Sequence, residues 1–199
     1  MSMLRIYFPG SWQNAASSCP WALCDDTGHL LQTGSNALAD MPHNDECVAI
    51  IAAERVLCSM ASQPAGPRRR WQAALPFLAE EHTLPDPEEN HVVAGPTLSD
   101  GRIMLAVVDK AWMQGLMDAF TAAHLRVSRM IPEIFLAAPA PGNWVMVLDE
   151  NGSGFISTGP AGGMALDCCD AASPPVALRL MLDAAQTALP KKIELRWRQ

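Results

Sequence analysis

Two stretches of this chain carry the same punctuation: short β-type runs parted by turn signals, followed by a helical pattern. The first begins with "LRIYFP" (4–9). "WALCDD" (21–26) and "HLLQTGS" (29–35) follow, flanking the hairpin signal Asp26-Thr27-Gly28. "CVAIIA" (47–52) and "VLCSMAS" (56–62) extend it through Ala53-Glu54-Arg55, and a helix is expected over 66–82. The second stretch sets "WVMVLD" (144–149) and "GFISTG" (154–159) around Glu150-Asn151-Gly152-Ser153, with "GMALDC" (163–168) as a third strand. Ser173 reads as an N-cap with Pro174 at the first helical position. That helix runs to Pro190, and "KIELRW" (192–197) closes as a strand.

Between the two lies "HVVAGP", the turn Ser99-Asp100-Gly101, "RIMLAVVD", a helix capped by Asp109, and "LRVSRMI" stopped by Pro132. Trp112, Leu116, Phe120 and Ala123 mark one face of that helix. This β-β-α-β unit is expected to form a layer of its own. The reading is therefore α/β with mixed sheets: two similar halves and a small insert, an actin-like, RNase H-like architecture. The expected subdomains are residues 1–88, 89–138 and 139–199.

Composition narrows the function. Of 199 residues, 49% are hydrophobic and the net charge is −7, so the chain can build a core but offers no basic surface for nucleic acid. No apolar run approaches the roughly 20 residues of a membrane helix, and "MSMLRIYFPG" has no signal-peptide pattern. Six cysteines show no C-x-x-C pair; they read as reduced thiols, several of them buried, ahead of a disulfide or zinc set.

"GPRRRWQAALPFLAEEH" (66–82) concentrates charge in an unusual way. Trp71, Leu75, Leu78 and His82 have helical spacing, with Pro76 expected to kink or split the helix. Arg68, Arg69 and Arg70 crowd its N-terminal end while Glu80 and Glu81 sit near its C-terminal end, the reverse of what the helix dipole favours. Two readings stay open. The charges of this segment and the following loop (Asp86, Glu88, Glu89) face a partner protein, or the arginines pair within the body with carboxylates such as Glu54 or Asp109.

Catalytic motifs are poor. G-x-S-x-G, G-x-x-x-x-G-K-[ST] and H-E-x-x-H are absent, and no catalytic, metal or cofactor residue is assigned. Actin-like ATPases hold phosphates in turns between the first two strands of each half, so the turns at Asp26 and Asp149 give the alternative reading, an ATP-binding protein. The second turn reads as one residue longer than Asp-x-Gly, His29 stands where a small hydroxyl residue is wanted, and plain hairpins use the same residues.

Residues 45–91, with the unit Ala53-Glu54-Arg55-Val56, the turn Pro64-Ala65-Gly66, the Arg-rich helix start, Leu75-Pro76-Phe77 with Glu80-Glu81, and Asp86-Pro87-Glu88, resemble the cytoplasmic domain of the L component of the bacterial type II secretion system. The resemblance continues through 101–133 and 144–159. It implies a three-subdomain, actin-like body that hydrolyses no nucleotide. The implied role is to recruit the secretion ATPase (E component), through that ATPase's N-terminal domain, to the inner membrane. The M, F and G components are further implied partners, and a homodimer is the expected assembly. A single transmembrane helix and a periplasmic domain follow this region in a whole L protein, so this chain is expected to be a truncated piece of one, soluble as it stands and placed at the cytoplasmic face of the inner membrane.

Overall fold

The computed structural model describes residues 2–80, 83, 86–98, 100–159, 162–167, 174–185 and 188–198, without the side chains of residues 68, 70 and 72. Among the described residues, twelve strands form three sheets. β1 (Ser2–Phe8), β2 (Cys19–Asp25) and β3 (Leu30–Asn36) make an antiparallel meander, and β4 (Glu46–Ile51) lies parallel to β1. β9 (Trp144–Leu148), β10 (Gly154–Gly159), β11 (Gly162–Leu166) and β12 (Ile193–Trp197) repeat the scheme, β12 lying parallel to β9. The strand orders match, β3-β2-β1-β4 and β11-β10-β9-β12. The two similar halves are thus present as read.

The content of the inserted layer differs from the sequence reading. β8 (Val127–Pro132) joins the first sheet beside β4, in parallel. A parallel partner needs a crossover, and α2 (Lys110–Ala122) supplies it. The third sheet is β5 (Leu57–Ser62), β7 (Arg102–Asp109) and β6 (Asn90–Thr97), in the order β5-β7-β6. The run β6-β7-α2-β8 therefore makes no layer of its own. β5 pairs with β7 and not with β4, although only the 3-10 turn Ala53–Arg55 separates β4 from β5.

Alternation along the strands places the cores. Leu4, Ile6 and Phe8 of β1 are fully buried under α2, whose Leu116, Ala119 and Phe120 face them. Asp109 caps α2, its carboxylate accepting from the Trp112 amide at 2.6 Å. The second meander packs Trp144, Leu148, Ile156 and Leu166 against Leu178 of α3 (Val176–Ala185). Ser173 lies outside the described residues, and Pro174 precedes the helix by two positions. Asp167 accepts from the Val176 and Ala177 amides, each at 3.1 Å. Those bonds hold the Asp167 carboxyl below its usual range. Cys19, Cys24 and Cys47 are buried free thiols and Cys58 is half-buried; burial pushes Cys19, Cys47 and Cys58 up to about 11. Cys168 and Cys169 lie outside the described residues.

Candidate partner-binding surface

The charged segment does not form one helix. Pro76 has no amide hydrogen, so an α-helix cannot run through it with its bonds intact. Arg68–Ala73 coil as a 3-10 segment, and α1 (Leu75–Ala79) starts afresh with Pro76 in its first turn. This is the expected split, and it removes most of the dipole conflict: the arginines stand off α1, which spans about one and a half turns. Trp71, Leu75 and Ala79 are buried on one face of the third sheet, against Ile103, Leu105 and Val107.

The segment's charges point outward where they are described. Arg69 and Glu80 are exposed, as are Asp86, Glu88 and Glu89. The side chains of Arg68 and Arg70 are not described, and Glu81 and His82 lie outside the described residues. Asp86 caps the 3-10 turn Pro87–Glu89, accepting from the Glu88 amide at 3.0 Å, and Lys110 Nζ donates to the Glu88 carbonyl at 3.1 Å. Among the described residues, Arg69, Glu80, Asp86, Glu88 and Glu89 make no ion pair. Of the two internal partners considered for the arginines, Asp109 is engaged as the α2 cap and the Glu54 carboxylate lies against Gly10.

Two clefts flank β6, the edge strand of the third sheet. One, of about 580 Å³, opens on the sheet face opposite α1; Met104 of β7, Met113 and Met117 of α2, Met130 of β8, Phe135 and Val93 shape it. The other, of about 550 Å³, runs along the β6 edge itself, lined by His91–Ala94 with Trp71, Leu75 and Arg69. Val93 and Met117 are 51% and 44% exposed, unusual for apolar side chains of a sheet and helix that bury their neighbours. Sequence reasoning missed this surface. The visible signal was methionine at 104, 113, 117 and 130, which reads as ordinary core filling until the strands are placed.

A polar junction ties the three sheets together and was likewise missed. Glu133, buried at 5% exposure, follows β8. It accepts from the Ala53 amide at 2.7 Å and from Arg198 at 2.7 Å, with the Tyr7 hydroxyl at 3.4 Å. Arg198 also donates to the Tyr7 oxygen at 3.0 Å and stacks over its ring. Tyr7 belongs to the first sheet, Ala53 to the turn leading into the third, and Arg198 follows β12 of the second half. Burial raises the Glu133 pKa, outweighing the Ala53 amide and Arg198, which lower it. Burial, then the Glu133 charge, raises Tyr7.

The turns read as possible phosphate nests are hairpins of one kind. Asp25 Oδ1 accepts from the Thr27 and His29 amides at 2.9 Å each, and Asp149 Oδ1 from Asn151 and Ser153 at 2.9 and 3.0 Å. Asp25, not Asp26, organises the first turn, and both turns have the same length. Gly28 and Gly152 supply the left-handed position at φ 86° and 77°. The β6–β7 hairpin repeats the backbone pattern at Leu98–Arg102 with no Asp at its head. The turns also stand at different steps of their meanders: Asp25–His29 joins β2 to β3, whereas Asp149–Ser153 joins β9 to β10. The true β1–β2 connection, residues 9–18, folds inward. Trp12 is 2% exposed, edge-on to Phe8 and Trp112, and Arg55 donates to the Gly10 carbonyl.

Comparison with known proteins agrees with this architecture. Residues 14–193 match the family model for type II secretion system (T2SS) protein L. A curated relative, type II secretion system protein L of Vibrio cholerae serotype O1, is 29% identical over 122 residues, 60% of this chain and 29% of that protein. The matched part thus spans under a third of that relative. Among solved structures, the cytoplasmic domain of EpsL, an inner membrane component of the Vibrio cholerae type II secretion system, superposes with a TM-score of 0.71 at 19% identity, covering 100% of this chain and 89% of that one. A PilM-PilN type IV pilus biogenesis complex gives 0.59 at 17% identity, covering 82% and 60%. A Bacteroides thetaiotaomicron protein with an actin-like ATPase fold and unknown function gives 0.55 at 11% identity, covering 98% and 81%.

Proposed function

This chain belongs to the type II secretion system protein L family, and from that premise we propose that it is a non-enzymatic adaptor at the cytoplasmic face of the bacterial inner membrane. Its task in this reading is to recruit the secretion ATPase, the E component, through that protein's N-terminal domain. The M, F and G components are its platform neighbours, and it works as a homodimer.

The observation that carries the reading is the internal use of hydrogen-bonding capacity in both Asp turns and in the β1–β2 loop, the places considered for phosphate. The amides of both Asp turns are taken by Asp25 and Asp149, and Trp12 with Arg55 packs the β1–β2 loop inward. Among the described residues, the charges left outward without an ion pair are Arg69, Glu80, Asp86, Glu88 and Glu89, suited to orienting a protein partner and to its rate of encounter.

Calorimetric titration with the N-terminal domain of the ATPase from the same system tests this. Micromolar or tighter binding near one to one is expected; no binding between two folded proteins overturns it. Mg-ATP is the parallel control. A site filled at about 1,000-fold over its Kd stabilises by about 4 kcal/mol, so an unchanged melting temperature is expected.

A further inference from the structure

We propose that the outer edge of β12 is where two copies of this chain join. A second copy lays its own β12 antiparallel along it, about a twofold axis at Leu195, so that the second sheets of both copies become one. The inference deepens the homodimer of the adaptor reading by giving it an interface, and recruitment of the ATPase does not depend on it.

The two halves of the chain differ at this place. In the first sheet β8 pairs with β4, whereas among the described residues no strand pairs with the outer side of β12. The register makes β4 and β12 comparable. Cys47, Ala49 and Ile51 stand beside Leu4, Ile6 and Phe8, and Ile193, Leu195 and Trp197 stand beside Trp144, Met146 and Leu148, in each half on the face that carries the helix. Cys47, Ala49 and Ile51 are 0%, 0% and 2% exposed, but Leu195 and Trp197 are 48% and 62% exposed. An open edge bearing a leucine and a tryptophan is one that proteins ordinarily pair or cover.

The main chain is turned to accept a partner. The Lys192 carbonyl accepts from the Trp144 amide at 2.9 Å, and the Arg198 amide donates to the Leu148 carbonyl at 2.7 Å. Even-numbered residues thus bond β9, and alternation turns the amides and carbonyls of Ile193, Leu195 and Trp197 to the outer side.

Side-chain chemistry selects the occupant. In an antiparallel pair centred on Leu195, that residue meets its own copy, Ile193 meets Trp197 of the second copy, and Glu194 meets Arg196 of the second copy. Apolar stands opposite apolar, and carboxylate opposite guanidinium. In this register the outward residues are also the ones that exchange main-chain bonds. Moving the axis to Glu194 or Arg196 sets like charges directly opposite each other, which disfavours both slipped registers. Glu194 and Arg196 already pair within the strand at 2.9 Å, so both charges are held at the edge. Lys192 faces Arg198 at the ends of the match, where the Arg198 guanidinium is turned away, to Glu133 at 2.7 Å.

Sedimentation equilibrium of this chain over about 1 µM to 1 mM reads the dimer, with dissociation expected in the micromolar range for an interface built on one strand pair. Leu195→Pro removes an amide that β9 does not use, so the ladder to β9 survives while the outer pairing is lost, and a monomer is expected throughout. Glu194→Lys and Arg196→Glu each set like charges opposite across the axis and are expected to weaken self-association about tenfold. Mixed together, these two variants restore opposite charges at both positions, so a mixed dimer of wild-type strength is expected. Circular dichroism and melting confirm that each variant is folded. Hydrogen exchange at the amides of Leu195 and Trp197 is expected to slow as concentration rises. An unaltered chain that stays monomeric, self-association unchanged in Leu195→Pro, or a mixture no tighter than its components overturns the interface. So does protection of those amides that appears only with the ATPase N-terminal domain, which assigns the edge to that partner. The ATPase titration is read separately, so recruitment stands or falls on its own.

Discussion

Replacing Arg198 by Met tests the three-sheet junction. The change keeps most of the side-chain stem and removes the charge that faces Glu133 at 2.7 Å. Removing one partner of a fully buried ion pair costs about 3–5 kcal/mol, because the other charge is left uncompensated. This pair falls below that range. The Arg198 side chain is 32% exposed, and Glu133 keeps the Ala53 amide and the Tyr7 hydroxyl. The expected loss is about 2–3 kcal/mol at pH 7.5, or about 4–12 °C in melting temperature for a chain of this size. The pH dependence supplies a sharper check. The folded-state pKa of Glu133 is raised, so its contribution to stability is fully present below its unfolded value of 4.5 and is lost as pH rises through the folded pKa. Losing the Arg198 cation raises that pKa further, so the variant's deficit is greatest at neutral pH and is smaller at pH 5. Thermal denaturation followed by tryptophan fluorescence at both pH values measures it, and Glu133→Gln in the variant background recovers part of the loss. A shift under about 1 °C at pH 7.5, or equal deficits at the two pH values, refutes the reasoning.

The exposed carboxylates act in the opposite direction. Asp25, Asp45, Asp100, Asp167 and Glu194 are held below their usual range by hydrogen bonds, so their stabilisation is present above the unfolded values and is lost as pH falls through the folded ones. Asp167→Asn is expected to flatten the acid limb of a melting-temperature curve below about pH 4, and an unchanged limb counts against the cap assigned to α3. Leu116→Ala, at a fully buried site under β1, is expected to cost about 3 kcal/mol in urea denaturation, whereas a loss below about 1 kcal/mol contradicts the packing of α2 described here. Peptide mapping after alkylation at pH 7.5 should find Cys19 and Cys47 unmodified in the native protein and fully modified in guanidinium; ready native labelling of either refutes their burial.

Strands were legible where alternation and turn chemistry coincided. "LRIYF" and "WVMVL" could be read because each is bounded by turn signals and buries alternate or consecutive apolar residues. Asp109 was legible as a cap because its side chain acts within three residues of itself. Pairing was not legible. Nothing local says that β5 leaves its neighbour β4 for β7, or that β8 crosses the insert to reach β4, since those choices depend on contacts between segments far apart in sequence. The Asp26 assignment failed for a subtler reason: Asp25 and Asp26 are chemically equal, and only the backbone decides which carboxylate faces the turn amides. Of the candidate surface, the charged residues of 68–89 were visible, but the clefts were not. They form where β6, β7, α2 and β8 converge, and nothing local marks Glu133, because its partners lie 80, 126 and 65 positions away.

The placement of β8 bears on the order in which the body can be made. Its ladder with β4 joins Cys47 to Val127, so the first sheet lacks its outermost strand until residues near 132 have left the ribosome. By then the whole third sheet and its helical cover have emerged as one long excursion between two strands of another sheet. The last sheet needs only residues 144–197 and closes from its own contacts. Long-range parallel pairing is slow, because the loop must close before its contacts repay the entropy. During synthesis the β4 edge is therefore an open template for longer than any edge of the final sheet, and it carries the buried run Cys47-Val48-Ala49. The early half of this chain is where nascent-chain aggregation should begin, and a ribosome paused just before β8 is the state most exposed to it.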